Sequence, residues 1–321
     1  MAAEKALTSA NNLFFDEHQA TLRGLGEVIG LPNCFSESLA SAIELTQPWV
    51  KGDHTRPNNE LVLTTNQSAA LQPIFEAMNL KREAALPEGN YDHLIVPGAV
   101  QLGNNNRIKF VKAAVEQGDI VTGDIVLLGG QRRVFGEVES HLLKEDLKTI
   151  HEQGTEDYWI KALENKTEQL QWETDFMRLA AIKHLGALPL RQLHLRYLTA
   201  ESTAPHDAIR QYEFTWRNMP LKLLHTLATS RPNGETRHTT ESCVKEWVTS
   251  SEPVKGAVVG FIPSNPHRDR MARSCQRALV SVGRSDLELV VAGPASASGV
   301  GDQIHLGEIA RNLYEDSFTR E

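Results

Sequence analysis

The chain has 321 residues, of which 40% are hydrophobic and 23% charged, a composition typical of a globular protein with one large or two ordinary domains. Its net charge of −8 argues against a general nucleic-acid binder, which would carry a basic surface, but allows a small anionic ligand held by a local basic group. The sequence has no apolar stretch of membrane-spanning length, no secretory signal and no metal or disulfide spacing among its three cysteines. We therefore expect a cytoplasmic protein that binds neither membranes nor a structural metal.

The first 90 residues are predicted to be helical. They lack the alternation of polar and apolar residues that is typical of strands, and three stretches have apolar residues at helical spacing, namely 11–31, 35–50 and 66–80. We interpret 1–90 as an N-terminal helical region, whose surface is a candidate site for a protein partner.

From residue 91 onwards, short apolar runs alternate with amphipathic stretches. The sequence predicts strands at 91–99, 123–130, 190–198, 256–263 and 286–293, and helices at 106–118, 169–187, 238–248, 266–283 and 307–316. Uniformly apolar strands that alternate with helices indicate a parallel sheet covered on both faces. The predicted fold is therefore α/β, a Rossmann-like open parallel sheet of about five strands with helices on both faces. It occupies 91–321 and contains an insertion near 198–236.

Three charged residues lie on the apolar faces of predicted helices. Arg107, Glu173 and Glu241 each share a face with apolar residues three to eight positions later. A charge that faces a core needs a partner or a ligand, although snorkelling or ion pairing would explain any one of the three. Ligands of open parallel sheets bind outside the carboxyl ends of the strands, so the three residues together predict a ligand site at that edge.

The fourth predicted strand ends in the polar corner "SNPH", which leads into a helix. Ser264 or Asn265 is expected to cap this helix, whose free N–H groups and dipole favour an anion. His267 and Arg270 are three residues apart and share a face, from which Arg270 is expected to hold a phosphate or carboxylate. The alternative is a solvated basic face, which we expect for Arg268.

Glycines end the first two predicted strands. Gly98 ends the first, and Gly129 and Gly130 end the second, where Gln131 and Arg132 add polar groups. A glycine lets the backbone approach a ligand closely, although a glycine pair also suits a plain turn. The sequence contains neither the dinucleotide fingerprint GxGxxG nor a GxSxG elbow or Walker A pattern.

Taken in order, these motifs resemble the SanA/YdcF-like family of bacterial proteins. The resemblance covers about 91–292 and rests on "DHLIVPGAVQLGNNNRI", "IVLLGG", "ETDFM", "HTTESC" and the spacing of Ser264, His267 and Arg270. The chain departs from the family pattern at Pro97, where a leucine is usual, and at Ser242, where an asparagine is usual. The resemblance implies a Rossmann-like sheet with a polar pocket of Glu, His and Arg. It also implies a phosphorylated, nucleotide-like or S-adenosylmethionine-like ligand.

Three functional hypotheses follow. The first is a hydrolase or transferase acting on a phosphorylated or nucleotide-type substrate. In it Arg107, Arg270 and the backbone N–H groups of Asn265 and His267 hold the anion, Glu173 or Glu241 is the general base, and His267 is a general acid or base. The second is a non-catalytic ligand-binding or regulatory module, and the third is methyl transfer from S-adenosylmethionine. The cofactor stays open between S-adenosylmethionine and a nucleotide.

Overall fold

The computed structural model describes residues 14–32, 35, 38–49, 63–132, 136–197, 208–230, 236–237, 239–297 and 300–318. The chain divides into two compact units. The helical unit comprises Met1–Ala84, Ser264–Arg273 and Pro294–Glu321, and the sheet unit comprises Ala85–Pro263 and Ser274–Gly293. Among the described residues, no helix combines the length and the apolar character that a membrane span requires.

The described residues form eleven α-helices, one short 3-10 helix at Gln47–Trp49 and nine strands. The helices are α1 (Phe14–Glu17), α2 (Gln19–Ile29), α3 (Leu39–Thr46), α4 (Thr65–Ala77), α5 (Gln101–Gln117), α6 (Gly136–Glu152), α7 (Tyr158–Glu164), α8 (Glu173–Leu185), α9 (Thr240–Ser251), α10 (Arg268–Ser281) and α11 (Asp302–Phe318). The strands are β1 (Gly89–Pro97), β2 (Ile120–Gly130), β3 (Gln192–Tyr197), β4 (Ala208–Trp216), β5 (Met219–Thr226), β6 (Thr229–Ser230), β7 (Thr236–Arg237), β8 (Val258–Phe261) and β9 (Glu288–Val291).

The helical unit has an apolar core of its own. Leu25 of α2 and Phe75 of α4 are completely buried, in one cluster with Leu306 and Ile309 of α11. The C-terminal helix thus packs with the N-terminal helices, whereas the sequence analysis had grouped it with the α/β domain. Burial of such side chains stabilises the unit by about 1.5–3 kcal/mol each.

The sheet unit contains a mixed sheet of seven strands in the order β3-β4-β5-β2-β1-β8-β9. Strands β5, β2, β1, β8 and β9 pair in parallel, whereas β4 runs antiparallel to both of its neighbours, β3 and β5. The α/β class is therefore confirmed, but the prediction of about five strands, all parallel, was wrong.

The error lies in the stretch 198–236, which the sequence analysis treated as an insertion. Part of it forms the hairpin β4–β5, whose two-residue turn has positive φ angles at Arg217 (50°) and Asn218 (64°). A two-residue turn with positive φ at both positions has a backbone twist that matches the twist of the flanking strands. Strand β5 pairs with β2 and buries Leu221, Leu223 and Leu224, whereas the predicted strand at 190–198 became the exposed edge strand β3.

Helices cover both faces of this sheet. Leu94 on β1 and Leu127 on β2 point into a cluster that includes Met177 of α8. On the alternate positions, the ring of His93 lies 5.4 Å from that of Trp247 on α9. Because successive side chains of a strand point to opposite faces, α8 and α9 lie on opposite sides of the sheet.

Candidate functional site

The candidate site of the sheet unit lies at the carboxyl ends of β1 and β2, next to the point where the strand order reverses. The chain runs from β1 outwards to β2 and later returns to add β8 on the other side of β1, so the switch point lies between β1 and β8. Gly98 follows β1 at this edge, where its N–H donates to the carbonyl of Leu128 at 2.7 Å. Open α/β sheets bind their ligands at the carboxyl end of such a switch point.

Glu173 is the buried carboxylate at this edge, with 4% of its surface exposed. It begins α8, where the helix dipole favours a negative charge. Its backbone N–H donates to the carbonyl of Arg132 at 2.9 Å, and Nε of Arg132 donates to its Oε1 at 3.0 Å. Asp175 caps the same helix by accepting the N–H groups of Gln171 and Trp172. The loop after β2 and the start of α8 are therefore joined by a backbone bond and an ion pair.

Two of the predicted glycines are needed for close approaches to α8. A Cβ on Gly98 would lie 2.5 Å from Cδ of Glu173, and a Cβ on Gly129 would lie 2.9 Å from Cα of Thr174. Both distances are shorter than ordinary contacts, so only glycine permits this packing without a shift. The glycines thus bring the strand ends against Glu173 and Thr174.

Replacing Gly98 by alanine is expected to displace the Glu173 carboxylate and to cost about 1–3 kcal/mol of unfolding free energy, because a methyl group would be forced into filled space. A double-mutant cycle in urea unfolding checks this prediction. In the Glu173→Ala background the obstacle is gone, so Gly98→Ala should cost much less. An equal cost in both backgrounds would contradict the proposed contact.

Arg107 lies at the same edge but faces the backbone. Only 1% of its surface is exposed, and its Nη1 donates to the carbonyls of Pro97 at 2.6 Å and Gly98 at 2.9 Å. From the sequence, we expected Arg107 to hold an anion. In the structure, this guanidinium supports the loop that follows β1.

A hydrogen-bonded chain that the sequence analysis did not include runs through His225 at the end of β5. Nε2 of His225 lies 3.2 Å from Nη2 of Arg210, and its Nδ1 lies 2.8 Å from Oγ1 of Thr174. A guanidinium only donates, so Nε2 of His225 accepts and Nδ1 carries the proton, which it donates to Thr174. The hydroxyl proton of Thr174 is then free to point to another acceptor at this edge.

The remaining polar residues at the end of β2 are tied to β5 and α9. The N–H of Gln131 donates to the carbonyl of Thr226 at 3.0 Å, and Gly130 pairs with the same residue across the strands. Oγ1 of Thr226 lies 3.1 Å from Sγ of Cys243, which is 2% exposed. Burial raises the pKa of the Cys243 thiol, so this cysteine is no thiolate nucleophile at neutral pH.

Glu241 is not buried as Glu173 is. Its carboxylate lies 2.7 Å from Nζ of Lys245, four residues later on α9, and 35% of its side chain is exposed. Glu241 therefore forms an ion pair, which was the alternative to a role in ligand binding.

The predicted corner Ser264–Arg270 belongs to the helical unit. The N–H groups of Asn265 and His267 donate to the carbonyls of Pro294 and Ser264, so the expected anion site made by these amides is not formed. Asn265 was expected to cap the helix, but its Oδ1 accepts no hydrogen bond from the described residues, and its Nδ2 donates to two carbonyls of the chain that follows α4, at 2.6 and 2.8 Å. Arg268 was expected to be solvated, yet its side chain is only 11% exposed and pairs with Asp269.

His267 and Arg270 meet at a residue that sequence reasoning missed, Glu308 of α11. Its carboxylate is completely buried, with Oε1 accepting from Nε of Arg270 at 2.7 Å and Oε2 lying 2.7 Å from Nδ1 of His267. Burial alone would raise the pKa of Glu308, but Arg270 and His267 together hold it well below its ordinary value. A glutamate on a predicted helix about 40 residues away carries no local signal of this contact.

The structure therefore brings Gly98, Gly129, Arg132 and Glu173 together in the sheet unit, and His267 and Arg270 together in the helical unit. Within the described parts of the chain, no group of three or more His, Cys, Asp and Glu side chains is arranged to hold a metal ion. No family model matches this chain, and no curated protein matches it either.

Proposed function

We propose that this protein is an enzyme that acts on a small phosphorylated or nucleotide-type molecule at the carboxyl edge of its sheet, with Glu173 as the general base. The observation that supports this most directly is the ion pair between the buried Glu173 and the partly exposed Arg132 at the carboxyl ends of β1 and β2. A buried charge is costly, and ionisable groups with such environments cluster at functional sites. The proposal includes a Rossmann-like fold and a relation to the SanA/YdcF-like family, whose motif order the chain shares.

Arg132 is the residue that we assign to the anion. Its Nε is occupied by Glu173, but 29% of its side chain is exposed, and a guanidinium has further N–H donors in a planar fork. The neighbouring Gly98 and Gly129 let the strand ends pack directly against Glu173 and Thr174. One guanidinium can thus hold the ligand and the base together.

We assign to Glu173 the role of accepting the proton of the attacking group. A carboxylate beside a bound phosphate accepts the proton of a water or a substrate hydroxyl whose oxygen attacks the phosphorus, while the bond to the leaving oxygen breaks. Arg132 stabilises the charge that develops on the phosphoryl oxygens. The hydroxyl of Thr174, which accepts a hydrogen bond from His225, is expected to donate one to the phosphoryl oxygens.

The experiment uses inorganic phosphate, AMP, ADP and S-adenosylmethionine as probes, with thermal shift for binding and phosphate release for turnover. Glu173→Gln should bind as the wild type does and lose about 100-fold or more in turnover, because general bases contribute that much. Arg132→Gln should weaken binding by about tenfold or more. The matched controls are Glu145→Gln and Arg217→Gln, whose side chains are 60% and 56% exposed, and both should leave binding and turnover unchanged.

Each outcome decides between the hypotheses. Unchanged turnover in Glu173→Gln would remove Glu173 as the base. Binding of a phosphate probe without turnover by the wild type would favour the non-catalytic module instead. Binding of S-adenosylmethionine alone would favour methyl transfer, and the absence of binding to every probe would overturn the proposal.

A further inference from the structure

The helical unit holds its own pair of a buried acid and an accessible imidazole. Glu308 is 0% exposed, whereas the side chain of His267, 2.7 Å from its Oε2, is 29% exposed. Arg270, on the other carboxylate oxygen, is 23% exposed. The acid is thus shielded from water, while His267 and Arg270 both reach the surface.

The contacts of Glu308 determine which nitrogen of His267 carries the proton. Nε of Arg270 donates to Oε1 of Glu308, and the low pKa of this carboxyl keeps both of its oxygens as acceptors. An ionised carboxylate only accepts, so Nδ1 of His267 must be the protonated nitrogen. In the neutral imidazole, the lone pair therefore lies on Nε2, which accepts no hydrogen bond from any residue that the structure describes.

His305, another histidine of the same unit, lacks this arrangement. His305, three residues before Glu308 on α11, is 2% exposed and stacks on Phe75 with ring centroids 4.8 Å apart. Burial lowers the pKa of His305, so it stays neutral inside the unit, out of reach of a solute. His305 therefore lacks the positioned and accessible imidazole that His267 provides.

We propose that Glu308 is a positioning residue that makes Nε2 of His267 a proton acceptor for the water or hydroxyl group of a small anionic molecule paired with Arg270. A carboxylate on one imidazole nitrogen fixes the tautomer and orientation of the ring, which is how it makes the other nitrogen a base. This inference goes beyond the proposed function, because it depends on contacts of the helical unit and on neither Glu173 nor Arg132.

Glu308→Gln is the informative variant because it nearly preserves the volume of the side chain. Arg270 donates to Oε1 at 2.7 Å, whereas Arg311 lies 3.7 Å from Oε2, beyond hydrogen-bond distance, so the single amide oxygen of the glutamine will face Nε of Arg270. The amide NH2 then faces Nδ1 of His267, which must accept, and the ring proton moves to Nε2. The variant should thus abolish the base without removing the imidazole.

The tautomer is read by ¹⁵N NMR on the full chain with labelled histidine. Wild type should show Nδ1 of His267 protonated and Nε2 free, and Glu308→Gln should show the reverse. Diethyl pyrocarbonate attacks unprotonated imidazole nitrogens, so its rate at His267, followed by mass spectrometry, should fall by about tenfold or more in the variant. The rate at His141, which is 78% exposed, should stay the same in both proteins.

The anion is tested with inorganic phosphate as the probe. Phosphate should protect His267 of the wild type from the reagent by several-fold, and Arg270→Gln should abolish this protection. A wild-type spectrum with the proton on Nε2 would refute the positioning role, even if Glu308→Gln failed to fold. A variant with an unchanged tautomer and rate would refute it as well, and phosphate without any protective effect would refute the anion.

Discussion

Replacing Gly293 by alanine destabilises the protein by about 3 kcal/mol or more, as measured by the free energy of unfolding in urea. Gly293 follows β9, and a Cβ at this position would lie 1.8 Å from the carbonyl oxygen of Pro263, which follows β8. That oxygen belongs to the backbone and cannot rotate away as a side chain can. The ends of two neighbouring strands would have to separate, at the edge where the candidate site lies.

Gly283→Ala is the matched control for this prediction. Gly283 lies in the same unit and has a φ of 71°, but a Cβ there would meet nothing within 4 Å. Its replacement should lower the free energy of unfolding by only about 1–2 kcal/mol, which is the cost of placing an alanine in the left-handed conformation. If the two variants lose the same stability, the contact of Gly293 with Pro263 is not the cause. Slowed or unchanged hydrogen exchange of the β8 amides in Gly293→Ala would contradict it too.

Glu308→Ala is expected to lower the free energy of unfolding by about 3–5 kcal/mol, because it leaves the Arg270 charge and the His267 imidazole without their buried partner. Glu145→Ala, which removes an exposed carboxylate, should cost less than about 1 kcal/mol. A loss of similar size in both variants would show that the buried pair contributes nothing beyond a surface ion pair.

The same carboxylate makes stability depend on pH. The pKa of Glu308 in the folded protein lies below the ordinary value of 4.5, since Arg270 and His267 outweigh the effect of burial. A group whose folded pKa is lowered stabilises the protein above its unfolded pKa and loses this contribution as the pH falls towards the folded value. The difference in unfolding free energy between wild type and Glu308→Ala should therefore shrink as the pH is lowered from 4.5. A difference that grows below pH 4.5 would contradict a lowered pKa of Glu308 in the folded protein.

Local sequence patterns predicted the central strands and part of the site. Apolar runs located β1, β2, β8 and β9, and the helical stripe correctly indicated that Arg107 and Glu173 are buried. The same pattern included Glu241, although Lys245 is visible in the sequence at the i+4 position that usually forms a surface pair. A stripe shows which face a residue shares, but not whether a nearby charge draws it outwards.

Contacts between distant parts of the chain account for what the sequence did not predict. Strand β5 contains Pro220 and Lys222, and its place beside β2 depends on a pairing about 100 residues apart. Helix α6, which the sequence pattern did not predict, docks through the buried Asp146. Its carboxylate accepts from Gln101 of α5 and Lys183 of α8. The partner of such a residue is decided by the folded topology and not by its neighbours in the sequence.

Arg107 donates to the carbonyls of Pro97 and Gly98. These hydrogen bonds require a fixed number of residues between the end of β1 and Arg107. One residue added or removed within the first turns of α5 would rotate the guanidinium by about 100° around the helix axis, away from Pro97 and Gly98. Substitutions along this segment can keep the loop in place, but insertions and deletions cannot. The number of residues from Gly98 to Arg107 therefore determines the position at which the backbone after β1 contacts Glu173.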